Sequence, residues 1–296
     1  MMPMLYTTRR NWMALMPGAD RTWTRRVRLT TLLVLLACSS SLGSPAFAQS
    51  SAPAVRFSPS AGTFVDRETV TLSVQGKANI HYTLDGSLPT AESPVYREPL
   101  TLDRSTRLRA VSVVPGVPAR QGGNASAGAE RHGPVATEIY LRVDANTQSF
   151  TSHLPIILIH MFESGALDPY GTEHMSAVLQ VLEPTAGSSR LVGRAALDSR
   201  IGIHVRGASS RNFPKSQYAV ELREDGDEED SDRPLLGLPS GSDWVLSDPL
   251  VYDRALIRNA LAFALSNRIG RYAPRTRFAE VFLVDDGGDV LSLIHI

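Results

Sequence analysis

Residues 203–222 read IHVRGASSRNFPKSQYAVEL. Ile201, Ile203 and Val205 alternate with Gly202, His204 and Arg206; Tyr218, Val220 and Leu222 alternate with Ala219, Glu221 and Arg223. A period of two puts one set of side chains on a buried sheet face and the other on the opposite face, so each arm is a strand. Residues 207–216 are polar and read as the turn between them. The stretch thus predicts paired strands joined by a turn carrying Arg206, Gly207, Ser209, Ser210, Arg211 and Lys215.

Upstream of that pair, residues 155–159 (PIILI) form a wholly apolar run consistent with a buried strand, and Val178, Leu179, Val181 and Leu182 supply another. Downstream, residues 224–232 (EDGDEEDSD) are the densest charge run. They lack the order of a calcium-binding EF-hand loop and read as a solvated hairpin loop. A helix is predicted over 253–269, with Leu256, Ile257, Ala260, Leu261, Ala264 and Leu265 as a broad apolar stripe facing a core. Asp253 can cap its start, and Gly270 can take the left-handed position after its end. Residues 277–284 (RFAEVFLV) read as one final strand before the turn at 285–288. Glu280 inside that strand would need a cation, with Arg258 as the candidate.

Residues 55–143 carry a different texture. Val70, Leu72 and Val74 alternate with polar residues, as do Ile80, Tyr82 and Leu84; Leu108, Ala110 and Val113 continue the theme. Turn signals stand at 58–62, 75–76 and 85–87. Short strands at this spacing predict a small all-β sandwich. Residues 115–133 read as a loop, 137–143 (TEIYLRV) as a closing strand, and 144–152 as a polar domain boundary. Tyr82 and Tyr96 read as core residues rather than a sugar-stacking pair.

The first 48 residues read as a secretory signal peptide. Arg21, Arg25, Arg26 and Arg28 make a basic region, residues 29–37 (LTTLLVLLA) an apolar one, and Ala46-Phe47-Ala48 a small-x-small cleavage site. Met16 is an alternative start. Leu35-Leu36-Ala37-Cys38 is a rival reading as a lipoprotein site acylated at Cys38. Across 296 residues the charges balance, 30 basic against 30 acidic, but the chain after residue 48 holds 24 against 29, a net of −5. That balance disfavours nucleic acid as a partner. No apolar run reaches the ~18–20 residues of a transmembrane helix. One cysteine excludes an intrachain disulfide framework. The seven histidines show no zinc-site spacing, and no serine-hydrolase elbow is present. No residue is assigned as catalytic or as a metal ligand.

Two resemblances follow from these motifs. Phe57-Ser58-Pro59 with Gly62, residues 80–90 (IHYTLDGSLPT), Ser93-Pro94-Val95-Tyr96 and Leu108-Arg109-Ala110 resemble the chitobiase/β-hexosaminidase C-terminal type of sandwich. That family implies an accessory module on exported enzymes and surface proteins. Residues 203–222, with 235–239 (LLGLP), 242–246 (SDWVL), 256–261 (LIRNAL) and 270–282 (GRYAPRTRFAEVF), resemble the CotH kinase family.

The CotH resemblance implies an atypical protein-kinase-like fold, hence an α+β chain overall. Its expected layout is a signal peptide at 1–48, an all-β sandwich at 55–143 and the N-terminal part of a kinase-like α+β domain at 154–296. It further implies ATP and Mg²⁺ as cofactors and phosphoryl transfer to Ser/Thr of an extracytoplasmic protein substrate. In such a lobe, Arg206, Gly207, Ser209, Ser210 and Lys215 would contact phosphate, and Arg258 would orient nucleotide-side groups, although the G-x-G-x-x-G grammar of ordinary kinases is absent. The family's acidic catalytic residues lie downstream of the segment matching 280–284, where residues 291–296 (LSLIHI) do not match its continuation. The expectation is therefore an inactive, poorly soluble fragment with apolar surface uncovered. The alternative reading is a non-catalytic surface protein that binds envelope polysaccharide.

Overall fold

The structure is a computed structural model, and it describes residues 4–7, 52–116, 130–212, 216–225, 229–247 and 253–284. These residues belong to one compact unit. The basic and apolar parts of the expected signal peptide, Cys38 and the cleavage site lie outside them, as does Lys215, whereas residues 4–7, at the start of that expected peptide, form a strand of the large sheet.

The strands, in chain order, are β1 (Met4–Thr7), β2 (Arg56–Ser58), β3 (Gly62–Phe64), β4 (Glu68–Ser73), β5 (Asn79–Thr83), β6 (Leu100–Leu102), β7 (Thr106–Val114), β8 (Arg131–His132) and β9 (Ala136–Arg142). They continue as β10 (Thr151–Ser152), β11 (Ile156–His160), β12 (Met175–Leu182), β13 (Ser189–Arg190), β14 (Leu197–Arg206), β15 (Gln217–Arg223) and β16 (Asp243–Ser247). The helix α1 (Arg258–Arg268) precedes β17 (Thr276–Phe278) and β18 (Glu280–Val284).

The first region is sandwich-like, as its alternation predicts. A sheet ordered β2-β4-β6 faces one ordered β3-β9-β7-β5, with β8 added to β7. Val70, Leu72, Ile80, Leu102, Leu108 and Tyr140 fill the space between. Tyr82 and Tyr96 pack against that core. The span expected to be one loop, 115–133, contains β8, and the polar span 144–152 contains β10.

The second region holds an eight-stranded sheet ordered β17-β1-β16-β15-β14-β12-β11-β18 and a small two-stranded sheet that pairs β10 with β13. The two ends of the large sheet are consecutive in sequence, separated only by Ala279. The expected single strand over 277–284 is thus divided: Thr276–Phe278 runs antiparallel to β1, and Glu280–Val284 runs parallel to β11. One bent stretch serves both ends, so the sheet curls back on itself. Ile159, Leu179, Ile203, Val220, Trp244 and Val281 line the enclosed side, with Leu235 and Leu238 packed among them.

The outer side of the sheet is covered at the β11–β12–β18 end by the sandwich. Ile139, Leu141 and Val143 of the β9 region share a second core with Ile156, Leu158, Val178 and Phe282. Across the same joint the Thr63 amide donates to the Gly193 carbonyl at 2.8 Å, and the Gly193 amide returns to Thr63 Oγ1 at 2.8 Å. A side chain at Gly62 would run into the Gly193 carbonyl, so this close approach requires glycine.

The helix departs from expectation. It spans Arg258–Arg268, and none of its residues is buried. Leu256, Ala260 and Phe263 are half-buried, whereas Ile257, Leu261, Leu265 and Ile269 are 51–73% exposed. The stripe is too broad for what lies beneath it: α1 flanks the curled sheet, and only one edge of the stripe meets protein. Elsewhere among the described residues the architecture is strand and turn, so the described structure is mostly β with one helix, where the expectation is an α+β kinase-like domain.

Candidate functional site

Arg206 closes β14 opposite Gln217 of β15. Between them Gly207 adopts φ 109°, a conformation that favours glycine, and Ser209–Asn212 winds into a 3₁₀ turn. The Ser210 hydroxyl sits where a Gly207 side chain would be. Arg211 Nη1 donates to the Tyr170 carbonyl at 3.0 Å, which ties the turn to the loop before β12. The described part of the turn thus carries Arg206 and Arg211 around Gly207, whose open side is occupied by the Ser210 hydroxyl.

Below the turn, on the face opposite the enclosed core, β14 and β15 carry His204, Arg206, Glu221 and Arg223. His174 reaches this face from the loop before β12. Its Nδ1 lies 3.8 Å from Glu221 Oε2, and its ring meets His204 edge-on at 4.7 Å. Burial holds the His174 pKa below its usual value, with Glu221 opposing that shift. Arg223 Nη2 approaches Glu221 Oε2 at 3.4 Å over the bare surface of Gly202. The i, i+2 alternation flags His204, Arg206, Glu221 and Arg223 as one face; nothing local flags His174, which arrives from a loop.

Of the residues expected to contact nucleotide, the structure groups Arg206, Gly207, Ser209 and Ser210 in one turn. Arg258 stands apart. Its Nε pairs with Asp253 Oδ1 at 3.4 Å. Glu280 Oε1 accepts from the Ser152 hydroxyl at 2.9 Å. Asp253 is buried and accepts from the backbone N–H of Arg258 at 2.8 Å and of Ala255 at 3.1 Å. It therefore satisfies the first helical amide from five residues upstream, while Ile257 occupies the cap position itself. Gly270 takes the left-handed conformation at φ 79°.

The acidic run is not wholly solvated. Asp225 is half-buried, Ser231 is buried, and Arg109 of β7 donates to the Asp225 carbonyl. Among the described residues no group of three or more His, Cys, Asp or Glu side chains could hold a metal ion. A metal finds no ligand cluster in the described residues.

Comparison with known families places this geometry. Residues 59–120 match the chitobiase/β-hexosaminidase C-terminal domain, and residues 203–287 match the CotH kinase protein family. The chain thus carries a CotH-type segment behind a chitobiase-type one, in the order the motifs indicate. The CotH match begins at the strand that leads into the turn and ends just past β18. No curated protein and no solved structure matches the chain. No helix among the described residues is long and apolar enough to cross a membrane.

Proposed function

We propose that the protein is an exported CotH-type enzyme that transfers the γ-phosphoryl group of ATP to a Ser or Thr hydroxyl of an extracytoplasmic protein. The observation that supports this reading is the coincidence of the CotH match with the glycine-centred basic turn between β14 and β15. In this reading residues 1–48 direct export, 55–143 are the accessory sandwich, and 154–296 belong to the kinase-like domain; cleavage after residue 48 would remove β1, so the sheet as described, with β1 between β16 and β17, is that of the uncleaved chain. Arg206, Arg211 and Lys215 supply positive charge to the phosphates, and the Gly207–Ser210 backbone approaches them closely. ATP with Mg²⁺ would supply the transferable phosphoryl group; the hydroxyl oxygen gains the phosphorus, ADP leaves, and the hydroxyl proton is released. Arg258 acts through α1, since its own partner is Asp253.

The polysaccharide-binding alternative draws no support from Tyr82 and Tyr96, both of which pack against the sandwich core. Incubating the exported protein with ATP and candidate envelope proteins tests the proposal. Phosphate incorporation that is lost on Lys215→Ala, with the melting temperature unchanged, supports it. Incorporation that survives the substitution removes the turn from the reaction.

A further inference from the structure

Among the described residues nine large apolar side chains are exposed, and five of them stand within 257–272: Ile257, Leu261, Leu265, Ile269 and Tyr272. The first four recur every four residues, which sets them along one side of α1 and its two caps. Ala260 and Phe263 are half-buried on the other edge, where the helix meets the sheet. The turn after α1 is fixed in place. The Asn267 side chain donates to the Ala273 carbonyl and accepts from the Ala273 amide, both at 3.1 Å. The Ser266 hydroxyl donates to the Arg271 carbonyl at 3.1 Å. Ile269, Arg271 and Tyr272 are therefore held against the end of the helix.

The same stretch carries one sign of charge. Residues 254–279 contain six arginines, Arg254, Arg258, Arg268, Arg271, Arg275 and Arg277, and no acidic residue, in a chain that is net acidic after residue 48. All six are exposed. Arg258 follows Ile257 and Arg268 precedes Ile269, so a basic side chain borders the apolar row at each end. Arg258 meets the buried Asp253, yet its own side chain remains 74% exposed. Glu183, an acid near α1, lines the groove beneath the helix with Ala260 and Ala264, on the side of the sheet.

We propose that α1 and the turn after it dock on the surface of an anionic phospholipid bilayer, with the helix lying in the plane of that surface. The guanidinium groups pair with lipid phosphates, the aliphatic row enters the boundary of the acyl chains, and Tyr272 sits at headgroup level. At 11 residues α1 is about 16 Å long, so it lies on a bilayer rather than crossing it. Two other occupants fit less well. A second copy of the chain would set arginine against arginine. Nucleic acid would meet the arginines and leave the apolar row in water. Docking of this kind is independent of phosphoryl transfer at the β14–β15 turn.

The experiment is co-sedimentation of the full chain with vesicles of phosphatidylcholine alone and of phosphatidylcholine with about one third phosphatidylglycerol, at low and at high salt. The parent is expected to partition at least about tenfold more strongly onto the anionic vesicles and to lose most of that preference at high salt. Two paired variants, Arg268→Gln with Arg271→Gln and Leu261→Gln with Leu265→Gln, are each expected to weaken anionic-vesicle binding by about tenfold or more. Their melting should change little, because all four positions are exposed. Each is read against the parent, so the apolar residues 29–37, common to all, cancel. Equal partition of the parent onto both kinds of vesicle would overturn the proposal. So would weakening in only one of the two variants, tighter binding of the parent to a duplex oligonucleotide than to anionic vesicles, or a dimer through α1 that survives those vesicles. Should the leucine pair fail to fold, Leu261→Gln alone makes the same test, with a drop of about threefold.

Discussion

The strand pair β14–β15 and the helix α1 carry equally clear apolar patterns, and they meet opposite fates. Ile201, Ile203, Val220 and Leu222 are at most 1% exposed, whereas Leu261 and Leu265 are more than half exposed. The strands are buried because the sheet curls until its ends share the stretch 276–284, so every inward side chain faces others. The helix has only the outside of that curl to lie on. Amphipathic pattern is thus a statement about what a segment can bury; the closure of the surrounding surface decides whether it does.

The comparison breaks most visibly at its enclosed end. Trp244 is 1% exposed inside the curl, with its indole N–H donated to the Gly241 carbonyl at 2.9 Å. Trp244→Ala is expected to cost about 3–5 kcal/mol in denaturant unfolding. A loss below about 1 kcal/mol would mean that the curl is not a packed core.

At the helix the expected effects are smaller. Asp253→Ala removes the acceptor for the Arg258 and Ala255 amides and is expected to cost about 1 kcal/mol. An unchanged midpoint would show that α1 starts without it. Leu261→Glu is expected to change stability by no more than about 0.5 kcal/mol while reducing self-association in sedimentation. A penalty as large as that of a core substitution would show that this face is covered and that the contrast with β14–β15 is false.

How much of this was legible depends on how local the cause is. The alternation in 201–205 and 218–222 is enough to place both strands and their buried side. Gly270 and the glycine-centred turn are equally readable, because conformation at one residue decides them. The division of 277–284 at Ala279 is not readable, since it depends on β1 and β11 lying on opposite sides of one stretch. Ser152 as the donor to Glu280 depends on that same closure, whereas Asp253 meets Arg258 locally, five residues along the chain. At the candidate site the polar turn and the His204–Arg206 face were visible in the sequence. His174 and the tie from Arg211 to the Tyr170 carbonyl depend on loops.

The turn between β14 and β15 carries the proposed function, and calorimetric titration of ATP into the protein tests it most directly. The account predicts saturable binding that weakens at least about tenfold, or ~1.4 kcal/mol, on Lys215→Ala. The variant should otherwise melt as the parent does. Equal affinity in both proteins, or no binding by the parent, would contradict it.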